Sequence, residues 1–198
     1  MAYEFGKQIW DGLLADIGND YGVAGVMGNL VAESGLIPYR LQGDFSSGYK
    51  DSKAYTEQVD SGAVTESEFV NREIGYGLAQ WTFKTRKQGL YDMKQSMDVS
   101  IGSVELGIAY LLYELKNDYP GVYLTLKNAK SIREASDSFL HDFESPANQS
   151  EAVEIERASF GTEFYNEYSG SDPITPTGKS KKKGFNFILF GGRRRWIV

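Results

Sequence analysis

The chain contains no cysteine. That excludes disulfides, thiol catalysis, Cys-ligated zinc and iron–sulfur clusters. It leaves open both work outside the cell without oxidative folding and residence in the cytoplasm. Histidine is almost as scarce. His141 is the only one, so a single chain builds neither a multi-histidine metal site nor a reaction that needs two imidazoles. It sits between Phe139 and Phe143 in a helical segment, which favours a structural role over that of a lone base. No run reaches the roughly 18 consecutive apolar residues of a membrane span, so no transmembrane segment is expected. The opening residues, Met1-Ala-Tyr-Glu-Phe-Gly-Lys-Gln-Ile-Trp10, lack a basic start and an apolar stretch, and no signal peptide is read from them. Positive charge is also thin over most of the chain. Residues 1–170 hold 14 Lys/Arg against 26 Asp/Glu, whereas residues 171–198 hold 7 against 1. An acidic body argues against nucleic acid as the main partner, because phosphate contacts need a basic face.

What is present is enough for one domain with a core and an appendage: 198 residues, 41% of them hydrophobic. The 13 Tyr and 11 Phe are mostly assigned to the core, with a minority available to line a carbohydrate groove. The body reads as helical. Phe5, Ile9, Trp10, Leu13, Leu14 and Ile17 recur at helical spacing. A turn at Asn19–Gly22 follows, then a helix carrying Val23, Val26, Met27, Leu30 and Val31 that Gly35 closes. Residues 38–74 are polar and weakly periodic. They read as a loop-rich lobe with one short helix near 65–71, opened by the Thr65-x-x-Glu68 capping pattern. Thr82 is read as the N-cap of a helix over 83–95. Ile101 to Leu115 is the most hydrophobic helix and is expected to run through the centre. Tyr119-Pro120-Gly121 breaks it. Ser131-x-x-Glu134 caps a helix reaching about Phe143, and a last helix runs from about Ser150 to Tyr168. The expected organisation is a body over 1–168, a Gly/Ser/Pro/Thr linker over 169–178 and a basic, apolar tail over 179–198.

Two stretches carry chemistry only as halves of one cleft. In Gly25-Val-Met-Gly28-Asn-Leu-Val-Ala-Glu33-Ser34-Gly35, stepping back from Glu33 by three or four residues meets Leu30, Val26 or Met27, and Val23. A carboxyl that continues an apolar stripe loses hydration of its charged form, and the helix C-terminus adds partial negative charge. Both are expected to raise its pKa, making Glu33 a proton donor for a leaving glycosidic oxygen. The alternative is a helix-end glutamate facing solvent. The second stretch is Gly75-Tyr76-Gly77-Leu78-Ala79-Gln80-Trp81-Thr82. Its glycines allow close backbone approach, Gln80 offers both a donor and an acceptor, and Tyr76 and Trp81 offer ring faces to a sugar chain. It is not a nucleotide loop, since G-x-G-x-x-G and a βαβ rhythm are both missing.

Together these stretches resemble the lysozyme superfamily, and more closely the phage tail lysozymes, peptidoglycan-cutting modules at the tail tips of phages of Gram-positive bacteria. The matching residues are Gly25-x-x-Gly28-Asn29-x-x-x-Glu33-Ser34 with Pro38, Gly75-Tyr-Gly-Leu-x-Gln-Trp-Thr82, and Phe143-Glu144-x-Pro146-Ala147-Asn148, in order over about residues 8–168. The resemblance implies a mainly α (α+β lysozyme-like) fold, a helical lobe with a central buried helix plus a small loop/β-containing lobe. It implies hydrolysis of the β-1,4 bond between N-acetylmuramic acid and N-acetylglucosamine, with Glu33 as the acid, the peptidoglycan glycan strand as partner and no cofactor or metal. Tyr76, Gln80, Trp81, Ser34 and Glu144 are the expected substrate-side residues, Glu144 fixing the cleft wall or bonding the strip. Glu114 either supports Glu33 from behind or faces solvent. Animal-type lysozymes carry an Asp where this chain has Gly75. An inverting route then needs another carboxylate roughly 6.5–9.5 Å from Glu33, for which Glu73 is the first candidate and Asp44 the second. Failing both, Glu33 acts as acid and base, as in the lytic transglycosylases. A non-catalytic virion or wall-binding protein and a conjugation-associated wall hydrolase also fit. The resemblance places the protein on the virion, acting on the bacterial wall, with residues 179–198 as a candidate attachment to tail proteins.

Overall fold

The structure is a computed structural model of the whole chain, and residues 3–44 and 48–175 are described. Residues 179–198, read as a docking tail, lie outside the described residues, as does the end of the linker. Within them the chain forms α1 (Gly6–Ile17), α2 (Asp20–Ser34), α3 (Lys50–Asp60), α4 (Glu66–Asn71), α5 (Lys84–Met97), α6 (Val104–Asn117), α7 (Pro120–Asn128), α8 (Ile132–Ser138), a π-helical turn (Phe139–Glu144) and α9 (Glu151–Tyr168). Strand pairing among the described residues amounts to two isolated antiparallel bridges, Leu41 with Tyr76 and Tyr76 with Trp81. The fold is mainly α, as the resemblance implied.

The central helix is α2, not α6, although the two are about equally hydrophobic. α2 packs against α1, α7, α8 and α9, and is buried continuously from Gly22 to Leu30. What gives it this place is small residues more than large ones. A Cβ on Gly28 would lie 2.2 Å from the Arg157 carbonyl oxygen of α9, and one on Gly25 would lie 2.6 Å from the Ala135 Cβ of α8. Gly161 answers from α9, where a Cβ would meet the Ala24 carbonyl oxygen at 2.5 Å. Backbones that approach this closely leave no room for a side chain. α6 packs against α1, α5 and α7.

The caps follow the local chemistry. The Asn19 side chain accepts from Tyr21 N–H to open α2, and Gly35 closes it at φ 63°. Thr65 and Glu68 form the expected reciprocal capping box at α4, and the Ser131 side chain accepts from Glu134 N–H at α8. The N-cap of α5 is Phe83, without a side-chain bond, because Thr82 Oγ1 donates instead to the Gln80 carbonyl. Two helices differ from the reading. The polar lobe contains α3, whose buried face is Ser52, Tyr55, Thr56 and Val59; the spacing is helical, but half of that face is serine and threonine. Pro120, which ends the preceding segment, is also the first residue of α7, where its missing N–H is no loss. Among the described residues, no helix is long and apolar enough to cross a membrane.

Candidate active site

The Gly75–Thr82 strip is a tight loop clamped on both sides. Tyr76 and Trp81 exchange backbone hydrogen bonds, Gly77 N–H donates to the Arg40 carbonyl at 2.8 Å, and Gln42 N–H to the Gly75 carbonyl at 2.9 Å. Gly77 stands at φ 80°, and a Cβ there would lie 2.8 Å from the Trp81 ring. Beneath the strip's entry, Lys87 Nζ donates to the Arg72 carbonyl at 2.7 Å. Burial, and then the Arg72 charge, push that ammonium down to about 8.

This construction turns the two aromatic rings inward. Tyr76 and Trp81 are fully buried, so neither presents a face to a sugar, contrary to the expectation from sequence. The Tyr76 hydroxyl pairs with Thr56 Oγ1 at 2.5 Å. The Trp81 indole N–H donates to Glu114 Oε2 at 2.7 Å. Ser34 is likewise buried, its hydroxyl donating to the Leu30 carbonyl of its own helix. Gln80, with a positive φ of 46°, uses its amide N–H groups on the Arg40 and Gly77 carbonyls. Its donors are thus taken up within the loop, and the donor–acceptor pair expected is not free.

A cleft of about 390 Å³ lies where α2 ends, lined by Ala32, Glu33, Gln42, Gly43, Ala79, Gln80, Thr82, Phe83, Arg86, Glu144 and Pro146. It joins all three motif stretches. Phe83, at 74% exposure, is the aromatic surface that Tyr76 and Trp81 do not supply. Its signal in the sequence was its place one residue beyond a polar turn, at the start of a helix whose apolar face does not need it.

Glu33 keeps 21% of its side chain exposed and accepts from Arg157 Nη2 at 2.7 Å. The apolar stripe continues beneath it, but its immediate neighbour is a guanidinium. Arg157 is itself aimed by Asn29, whose carbonyl and Oδ1 both accept from Nη1. Asn29 is fixed in turn by donating to Gly25 and Ser136. So Gly25, Gly28 and Asn29 of the motif act through α8 and α9 to place a cation against the acid. Arg157 was missed in the sequence because it lies more than a hundred residues from its partner.

A second ion pair stands behind the cleft. Arg86 makes a two-pronged contact with buried Glu114, Nε to Oε1 at 2.6 Å and Nη2 to Oε2 at 2.8 Å, under the Phe143 ring at 4.7 Å. Glu114 thus holds the strip and the cleft wall together and does not face solvent. Glu144 closes the π-helical turn, where Ser145 N–H reaches back to the Leu140 carbonyl. Its Oε1 is buried and has no hydrogen-bond partner; it does not bond the strip. Burial pushes the Glu144 carboxyl well above the usual carboxylate range and the Glu33 charge pushes the same way, against Arg157 and Arg86.

The two candidates for a second carboxylate are not among the residues lining the cleft. Glu73 is exposed and is not among the residues lining the cleft. Asp44 is buried and accepts from Ser52 N–H and Oγ, a bond that fixes the start of α3. His141 ties the π-helical turn to Gln149 and to Glu154 of α9, a structural arrangement away from the cleft. Another concavity, about 330 Å³ beside α8 and α9, has no carboxylate among its lining residues.

A family model described as Phage tail lysozyme matches residues 4–168 of the chain. A search of curated proteins found no match.

Proposed function

We propose, because the chain belongs to the phage tail lysozyme family, that its lysozyme-type, peptidoglycan-degrading function is that of a muramidase. It hydrolyses the β-1,4 bond between N-acetylmuramic acid and N-acetylglucosamine and opens the wall locally from the tail of a virion. The observation that supports this most is the placement of Glu33 at the end of α2, on the wall of a cleft shared with Gln42, Gln80, Thr82 and Phe83. A carboxyl there is within reach of a glycosidic oxygen, and the amides and hydroxyl meet sugar hydroxyl or N-acetyl groups. The purified protein is expected to release reducing ends from peptidoglycan, with products heavier by one water than the anhydro products of a transglycosylase. Mass spectrometry of the digest distinguishes the two. The absence of any cleaved glycan would favour the competing reading, a non-catalytic wall-binding protein in which the Glu33–Arg157 pair is purely structural.

Phe83 gives the glycan an apolar platform. Phe83→Ala is expected to raise KM about two- to tenfold, the range of an aromatic contact worth about 0.5–1.5 kcal/mol, with kcat little changed. Thermal unfolding should stay within about 0.5 kcal/mol of the parent, since the ring buries little. An unchanged KM would remove Phe83 from the binding surface.

A further inference from the structure

Three carboxyls and two guanidiniums stand at or behind the cleft wall: Glu33, Glu144 and Arg86 line it, and Arg157 and Glu114 back it. Arg157 is committed to Glu33 and Arg86 to Glu114. Glu144 is left as the third carboxyl, its Oε1 buried without a donor, on the same wall as Glu33. Ionisation is disfavoured for a carboxyl with one oxygen shut away from the surface and without a hydrogen-bond donor. Two carboxyls close together do not both ionise freely. We propose that Glu33 and Glu144 form a pair holding a single proton, with Glu144 its resting holder and Glu33 the group that passes it to the substrate. The proposal rests on the muramidase reading and adds to it the second carboxyl that Glu73 and Asp44 do not provide.

The proton count closes over one turnover. The pair gives its proton to the leaving oxygen as the bond from that oxygen to the anomeric carbon breaks. Water then bonds to the anomeric carbon and its released proton returns to the pair. The charged groups facing Glu144 are Glu33 of α2, Arg157 of α9, Arg86 of α5 and Glu114 of α6. On its own turn His141 is engaged by Glu154 and Asp142 is exposed. Burial and the Glu33 charge hold the Glu144 proton against rising pH, so the alkaline limb of activity belongs to the pair, not to either residue alone.

The test compares the full chain with Glu144→Gln by pH profile on peptidoglycan and by infrared spectroscopy of the protein without substrate. At neutral pH the wild type is expected to show the carbonyl stretch of a protonated carboxylic acid, and Glu144→Gln to lose it. The variant's rate is expected to fall on the order of 10²-fold at neutral pH, with the deficit shrinking toward acid as the alkaline limb moves to lower pH. A rate lowered equally at every pH would assign Glu144 a structural role and overturn the proposal. So would a wild-type spectrum without the band, or a band retained in the variant. Glu144→Asp covers the case of a misfolded amide variant. It keeps a protonatable group, so it should retain the band and the alkaline limb, and loss of either overturns the pair. A wild type that shows the band but cleaves no glycan would sink the muramidase reading while leaving the shared proton standing.

Discussion

Glu33→Gln is expected to lower the rate of glycan cleavage on the order of 10²–10⁴-fold with the fold intact. The amide oxygen still accepts from Arg157 Nη2, which now reaches Glu33 Oε1 at 2.7 Å, so the α2–α9 contact keeps its geometry. Removing one negative charge from the wall also removes one of the two influences that hold the Glu144 proton, leaving burial as the other. Peptidoglycan binding should persist, because Gln42, Gln80, Thr82 and Phe83 are untouched. The check is a wall-turbidity and reducing-end assay beside a thermal melt and a sedimentation binding assay. Clearing near the wild-type rate would show that the proton comes from elsewhere.

Gly28→Ala should have the largest effect on stability. The added Cβ would sit 2.2 Å from the Arg157 carbonyl oxygen and 2.7 Å from Gly161 N. Both are backbone atoms of a helix, so no rotamer relieves the clash, and α9 has to move as a body. Overpacking costs typically about 1–3 kcal/mol and occasionally more; the upper end or beyond applies here. At about 2–4 °C per kcal/mol for a chain of this size, the melting midpoint should fall by roughly 6–12 °C. Activity should fall further than stability explains, because displacing α9 moves Arg157 away from Glu33. Calorimetry with a cleavage assay below the melting range checks both. A melt within a degree or two of the parent would show that the two helices separate easily.

What the sequence disclosed was mostly short-range. Gly35, the Thr65–Glu68 box and Ser131 announced helix ends because capping is a contact between residues three or four apart. The cleft was legible because Glu33, the strip and Glu144 stand in motif-sized blocks. The errors have one source, inferring exposure from residue type. Tyr76 and Trp81 read as sugar platforms, yet they pair with each other at the base of the loop and are buried, their polar atoms bonded to Thr56 and Glu114. α3 went unread for the converse reason, since Ser52 and Thr56 are buried on its inner face. The ion pairs that set the electrostatics, Arg157 with Glu33 and Arg86 with Glu114, join residues brought together only by helix packing, and no spacing rule reaches them.

The wide turn at Phe139–Glu144 has a consequence for how this cleft tolerates changes of chain length. A π turn accommodates one residue more than an α turn would, and here that surplus sets the direction in which Glu144 points. Wound as a regular α-helix, the same residues would carry the glutamate about 100° further around the axis. Insertions and deletions are usually absorbed by surface loops. In this helix the wide turn can absorb a one-residue deletion as well, because losing the surplus residue restores regular winding and leaves Glu144 facing the cleft wall.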